Sequence, residues 1–571
     1  MFWQAVVAAG SSGAFAAPRG EAEVLATLQA ALEEAQVQLT AAAAPGADGA
    51  PADRAHAISY EVVDRREHTV QGSHGAAAGT VSSRRRIVDV DVRVGTPELD
   101  STHKIRDESA FGGDSRGRWM VGFEGPLDPL RRLLLRATDD AFRQARSRLL
   151  KVRSNAAVKV VRDDDSADYG PAAPVTRMAP AAPLVVDYPS WKELTRELSG
   201  AYLAWPEIVD SAVQLVVTED DRWFVNNDGA RVMDGRSHLR FATWATAIAD
   251  DGMELSVYDY VDVAALDHLP DRARMEAMVQ GVAERTAALR KAPVVEPWTG
   301  PAILRGRAAG VFFHEIFGHR VEGHRQKDED EGQTFTSMVG QSILPSFLSV
   351  FDDPTIERFG NVDLNGHYVV DNEGVAAERV SLVEKGVLRN FLMSRTPIEG
   401  FARSNGHGRR QTSHTVVPRQ GNLMIEAHVS VSAAELRKRL VAEAVRQGKP
   451  WGLLFDDISG GFTFTGRSTP NSFAVQPVVV WRVWTDGRPD ELVRGVDLIG
   501  TPLTTFSRIL AAGGEPEVFN GTCGAESGWV PVSASAPSLL VSEVEVQRRA
   551  KGNDRPPLLS PPVPHDAEAA K

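Results

Sequence analysis

Cysteine is nearly absent from this chain. Its 571 residues include one, Cys523, which excludes an intramolecular disulfide and leaves the fold to packed cores. A lone thiol does not fix the compartment. Long apolar runs are missing as well, and none approaches the roughly 20 residues that a membrane-spanning helix requires. The apolar start Met1-Phe2-Trp3-Gln4-Ala5-Val6-Val7-Ala8-Ala9 has no Lys or Arg ahead of it, although Ala14-Phe15-Ala16 could serve as a small-residue cleavage site. A cytoplasmic location is favoured, with export left open for a degraded or mis-started signal. Positive charge is in deficit, with a net charge of −13. Basic groups such as Arg84-Arg85-Arg86 lack the interleaved aromatics of a single-strand binder and read as solvated strand or turn positions. No nucleic-acid partner is expected, and no repeat of solenoid period is visible.

What is present belongs to a soluble globular protein: 43% hydrophobic and 24% charged residues, in a chain long enough for two or three domains. Residues 21–39 space Val24, Leu25, Leu28 and Leu32 as an amphipathic helix, and residues 41–52 read as an Ala/Pro/Gly linker. Alternation in Ile58-Ser59-Tyr60-Glu61-Val62-Val63 and in residues 87–94 marks half-buried strands. A helix with a basic outer face follows over 127–152, then a connector over 163–183. Next come a helix near 191–203, strands across 214–257 and a strong helix at 271–289. Composition shifts around 293–301, where the main boundary is expected. Beyond it, Tyr368-Val369-Val370, residues 478–484 and Leu539-Leu540-Val541 predict strands, and Ser432 with Glu435 caps a helix over 433–447. The expected division is 1–56 (helix, linker and signal-like start), 57–295, 296–553 and a disordered tail over 554–571.

The chemistry concentrates in His314-Glu315-Ile316-Phe317-Gly318-His319. Two neutral imidazoles and the distant Cys523 thiolate would hold zinc and leave one tetrahedral position for water. Glu315 would take the proton of that metal-bound water as it attacks a carbonyl carbon, then pass it to the leaving amine. Helical geometry complicates this arrangement. Histidines at i and i+5 stand about 140° apart around a regular helix, against about 40° for the i, i+4 spacing of the familiar zinc motif. A π-bulge or a helix end near Gly318 must therefore swing His319 back. The flanking glycines of Asn520-Gly521-Thr522-Cys523-Gly524 suit a tight turn presenting the sulfur.

These residues carry a resemblance. The run from Arg307 to Gly323, with Asp371-Asn372-Glu373-Gly374, Asn405-Gly406-His407-Gly408-Arg409-Arg410 and Asn520-Gly521-Thr522-Cys523-Gly524, resembles the signature of the TldD/PmbA family of zinc metalloproteases. It covers the C-terminal half densely and extends loosely to about residue 57. The resemblance implies an α+β fold, with an N-terminal α/β domain followed by a strand-rich, barrel-like C-terminal domain carrying the metal-site helix. It implies zinc on His314, His319 and Cys523, Glu315 as base, and cleavage of small or unfolded peptides inside a dimer. That dimer would be a homodimer or a heterodimer with a family paralogue. His324 stands where aspartate is common in the family, and Ser542-Glu543-Val544-Glu545-Val546-Gln547 replaces a glycine-rich ending.

Three further residues are substrate-binding or supporting candidates. Glu322 is spaced to hydrogen-bond a motif imidazole, while Arg409 and Arg410 could hold a peptide carboxylate or carbonyl. His324 and His407 are not expected to be ligands, and Asp456-Asp457 reads as a pair of solvated turn acids. The leading function is a zinc peptidase whose extended substrate adds a strand to an open sheet edge. The alternatives are a catalytically silent peptide-binding or scaffolding subunit, and a zinc hydrolase of non-peptide amides.

Overall fold

In a computed structural model of the chain, the structure describes residues 21–42, 53–105, 119–156, 164–463, 465–466, 473–500 and 505–549. The signal-like start, most of the 41–52 linker and the 554–571 tail lie outside the described residues. No helix among the described residues is long and apolar enough to cross a membrane.

Two sheets organise the molecule in a mixed α+β fold. The first has seven strands and is antiparallel except for Thr176–Ala179. Its centre is built from Ala55–Ser73, Ala76–Val94, Ile208–Asn226 and Arg231–Ile248. Period-two alternation sorts its faces. In Arg231–Ile248, Leu239, Phe241 and Ala245 point into an apolar core under Tyr188–Ser199 and Arg272–Lys291. The next core along the same face joins Ile58, Tyr60 and Val62 to Leu28 and Leu32 of Glu21–Ala42 and to Leu130 and Leu134 of Asp128–Ala156. The alternate residues Arg240, Ala242 and Trp244, with Tyr258 and Tyr260, face the opposite way and wall a cavity.

The second sheet has eleven strands, five of which close on themselves. Trp298–Leu304 pairs with Trp451–Thr463, which is followed by Phe473–Trp484, Val496–Gly500 and Gly528–Arg548. Gly528–Arg548 then returns to Trp298–Leu304. The ring gives this half its barrel-like character. The helix Gly306–Ile316 lies against the ring strands with every residue but Arg307 buried. Phe312, Phe313 and Phe317 anchor it, packing with Phe335 and Phe506. Gly306 permits the close approach, since a Cβ there would stand 2.6 Å from the Ala536 carbonyl oxygen.

Several local expectations need correction. Arg86 is in a strand as one reading expected but is not solvated; it is buried in Ala76–Val94 with its guanidinium on Asp64. Asp456 and Asp457 lie in the strand Trp451–Thr463 and pair with Arg305 and Arg307, because strand register sets these acids opposite the helix start. Tyr368-Val369-Val370 forms no strand: Tyr368 instead donates its hydroxyl to the Gly406 carbonyl within loops. The 163–183 connector includes the short strand Thr176–Ala179. Ser432 accepts from the Glu435 N–H and caps Ala433–Arg446 as its spacing predicts.

Candidate metal centre

The motif helix stops where the histidine geometry demands. Gly306–Ile316 ends at Ile316, and a 3-10 turn over Gly318–Val321 carries His319. Arg320 stabilises the break by donating through Nη1 to the Glu315 and Ile316 carbonyls, both at 3.1 Å. Gly318 leaves room for the Gln420 side chain and has no unusual dihedral angle. A Cβ there would fall 1.9 Å from Gln420 Oε1, on a side chain that also reaches the His314 carbonyl at 3.4 Å.

The turn brings the two imidazoles together, with ring centroids 5.1 Å apart. Cys523 arrives from the other side on Ile509–Ala525, paired opposite Val530 in a hairpin with Gly528–Arg548. Its Sγ lies 3.3 Å from His319 Nε2. One donor atom from each of His314, His319 and Cys523 falls within 4.8 Å of the others, and all three residues are buried. The glycines around Cys523 act differently from expectation. Cys523 sits within the strand, and Gly521 and Gly524 make room for the Phe519 and Trp529 rings, which a Cβ would meet at 2.6 and 2.8 Å.

Charge alternates through the centre. Burial alone would raise the Cys523 thiol, but the His319, Arg419 and His314 charges outweigh it and hold the thiol well below its usual value. His319 is pushed up to about 10, because Cys523 and Glu322 overcome the burial that would lower it. Burial likewise opposes ionisation of Glu322, yet His319 and Arg325 hold it down at about 2. Glu322 Oε1 lies 3.2 Å from His319 Nδ1. Burial pushes Glu315 up, against the pull of His314 and His319.

Glu315, His314, His319 and Cys523 line a cavity of about 2220 Å³ between the two sheets. Two imidazoles and a polarised thiol are the donor types zinc takes, and His314 Nδ1 is buried with no hydrogen-bond partner among the described residues. The residues present fit a zinc ion.

Arg409 and Arg410 are placed elsewhere, and neither lines the cavity. Arg409 is buried with Nη1 on the Gln420 carbonyl, its guanidinium 4.6 Å from the Tyr368 ring centroid. Arg410 bridges Asp89 and Glu61 of the first sheet at 2.5 and 3.1 Å. His324 binds Glu526, and the buried His407 faces Asp352 and Asn405. Sequence reading missed Arg325 and Arg419, both on Glu322. Arg325 is spaced i, i+3 from Glu322 and was within reach of a pattern search. Arg419 had no such signal, because its partners lie far away in the chain.

Residues 298–548 match the family described as PmbA/TldA metallopeptidase C-terminal domain. A metalloprotease of Methanothermobacter thermautotrophicus is 25% identical over 342 residues, covering 59% of this chain and 70% of that protein. A zinc metalloprotease TldD homolog of Saccharolobus solfataricus is 22% identical over 253 residues, 43% of this chain and 51% of its own length. Other curated relatives are likewise matched over about half their length, 48% and 51% for two of them. TldE from Thermococcus kodakarensis shares the fold with a TM-score of 0.54 at 13% identity, covering 86% of this chain and 97% of that one. The ring, the helix and its three donors thus belong to a metallopeptidase C-terminal domain. Over residues 298–548 the chain carries the C-terminal domain of the TldD/PmbA family.

Proposed function

We propose that this chain is a zinc-dependent peptidase acting on small or unfolded peptides, with working units over 57–295 and 296–553. The observation that carries the reading is the convergence of His314, His319 and Cys523 beside Glu315 in one cavity. Zinc held by those three residues would supply Lewis acidity toward a carbonyl and toward water. Glu315 would hold the proton released as water attacks the peptide carbonyl and hand it to the leaving amine. Its burial supports that role, because a carboxylate pushed up by burial is a stronger base. Glu322 fixes the His319 ring through Nδ1.

Around Cys523, Ile509–Ala525 has no second strand partner among the described residues, and this open edge supports an extended substrate. Ser533 sends its N–H to the Gly421 carbonyl, away from its partner strand, and Pro531 has no N–H to give. Asn520 and Thr522, opposite these residues, therefore turn their own N–H and C=O groups outward, as Gly524 does one period on. Tyr260 takes the Asn520 carbonyl at 2.5 Å, leaving Thr522 and Gly524 facing the cavity. Main-chain pairing there would bind peptides with little regard to sequence. The fold shared with TldE supports assembly with a family paralogue or a second copy.

The deciding experiment measures zinc content and cleavage of an unfolded peptide for the parent and for Glu315→Gln. We expect zinc to be retained and kcat to fall by about 10²- to 10⁴-fold. Equal cleavage by both proteins would remove Glu315 from the chemistry, and a zinc-loaded parent that cleaves nothing would favour a silent peptide-binding subunit.

A further inference from the structure

We propose that Arg419 is the positioning residue that sets the geometry of the zinc site, by tying the support of one ligand to the backbone of another. This rests on the zinc reading above. Arg419 is 1% exposed and does not line the cavity, so it cannot meet substrate. Two of its guanidinium nitrogens donate hydrogen bonds and the third makes an ion-pair contact. Nε lies 3.3 Å from Glu322 Oε1, on the carboxylate that holds His319. Nη2 donates to the Cys523 carbonyl at 2.9 Å. Nη1 donates to Ser527 Oγ at 2.8 Å and to the Gly528 carbonyl at 3.3 Å, gripping the turn of the Cys523 hairpin.

The planar fork does what a point charge could not. Glu322 divides its oxygens, with Oε1 toward Arg419 and Oε2 toward Arg325 at 2.9 Å. Both oxygens stand within 3.3 Å of His319 Nδ1, so the direction of that ring depends on where the carboxylate is pinned. Cys523 comes from a separate hairpin, and no hydrogen bond within the motif helix fixes its distance to His319. Arg419 spans that gap through rigid geometry, making the His319 support and the Cys523 backbone one unit. A lysine would keep the charge but offer one nitrogen to sites lying in different directions.

The test uses the full-length protein and its Arg419→Lys and Arg419→Gln variants. Zinc affinity is read by competition with a chromophoric chelator, and cobalt(II) is substituted to read thiolate charge-transfer and ligand-field bands. We expect both variants to bind zinc about 10- to 100-fold more weakly, with altered cobalt spectra. Affinity within twofold of the parent, together with unchanged spectra in both variants, would overturn the proposal. If neither variant folds, Ser527→Ala removes the hydroxyl acceptor alone. An affinity loss of about fivefold would then support the proposal, and none would overturn it. A parent without a cobalt–thiolate band would sink the zinc reading itself and this inference with it, an outcome distinct from unchanged variants.

Discussion

The two sheets bury charge in different ways. In the first, buried or half-buried ions pair with residues directly across the strand. Asp64 is opposite Arg86, Arg65 opposite Asp220, and Arg240 opposite Asp262, each joined by a guanidinium–carboxylate contact. Register alone makes these pairs, at the cost of keeping long straight strands. In the C-terminal body the charges converge from loops. Glu322 and Arg325, three residues apart, are met by Arg419 and Glu526 from distant segments of the chain. Strand register can support a wall, whereas a site with donors on three sides needs segments that approach from several directions.

The contact whose loss would collapse this distinction is the join itself, and Arg410→Ala strikes it hardest. Removing that guanidinium leaves Glu61 and Asp89 buried without their shared cation, and we expect about 3–5 kcal/mol of destabilisation. Urea unfolding would check it; separate transitions for the two sheets would show that Arg410 also couples them. Cys523→Ser addresses the convergent half alone. It should weaken zinc binding by more than about 100-fold while leaving the secondary structure intact, because the surrounding core of Val530 and Val532 stays in place. Chelator competition alongside circular dichroism measures both effects.

A smaller effect separates the register-built half by pH. Burial alone would raise Asp262, but hydrogen bonds from Arg240 and His238 outweigh it and hold the carboxyl at about 2. Burial pushes His238 down, while Arg240 holds Asp262 through two contacts at 2.7 Å. A depressed carboxyl contributes stability that is present above its unfolded value near 4 and is lost as pH falls toward 2. The amount is about 2 kcal/mol. Asp262→Asn should flatten thermal stability across that window. The smallest effect belongs to a helix end: Asp271 accepts from the Arg274 N–H and caps Arg272–Lys291, so Asp271→Ala should cost about 1 kcal/mol in thermal unfolding.

Much of the first sheet was legible because period-two alternation and helix caps are local signals. The motif histidines were legible too, and the predicted helix break near Gly318 lies where the chain bends. Arg86, Asp456 and Asp457 misled, since a charged residue in a strand looks solvated until its cross-strand partner is known. Arg409 and Arg410 suggested a substrate grip by residue type, yet their guanidiniums are engaged with the Tyr368 ring and with two acids of the first sheet.

The amino-acid order by itself determined the donor types at the centre, the strand periodicities and the helix caps, because each depends on residues a few positions apart. Tertiary packing alone decided that Cys523 meets His319, that Gly521 and Gly524 shelter aromatic rings, and that Arg419 grips two segments at once. Those contacts join residues whose separation along the chain carries no distance information. They exist only because a closed ring of strands, with a buried helix against it, brings the ends of distant loops to one point.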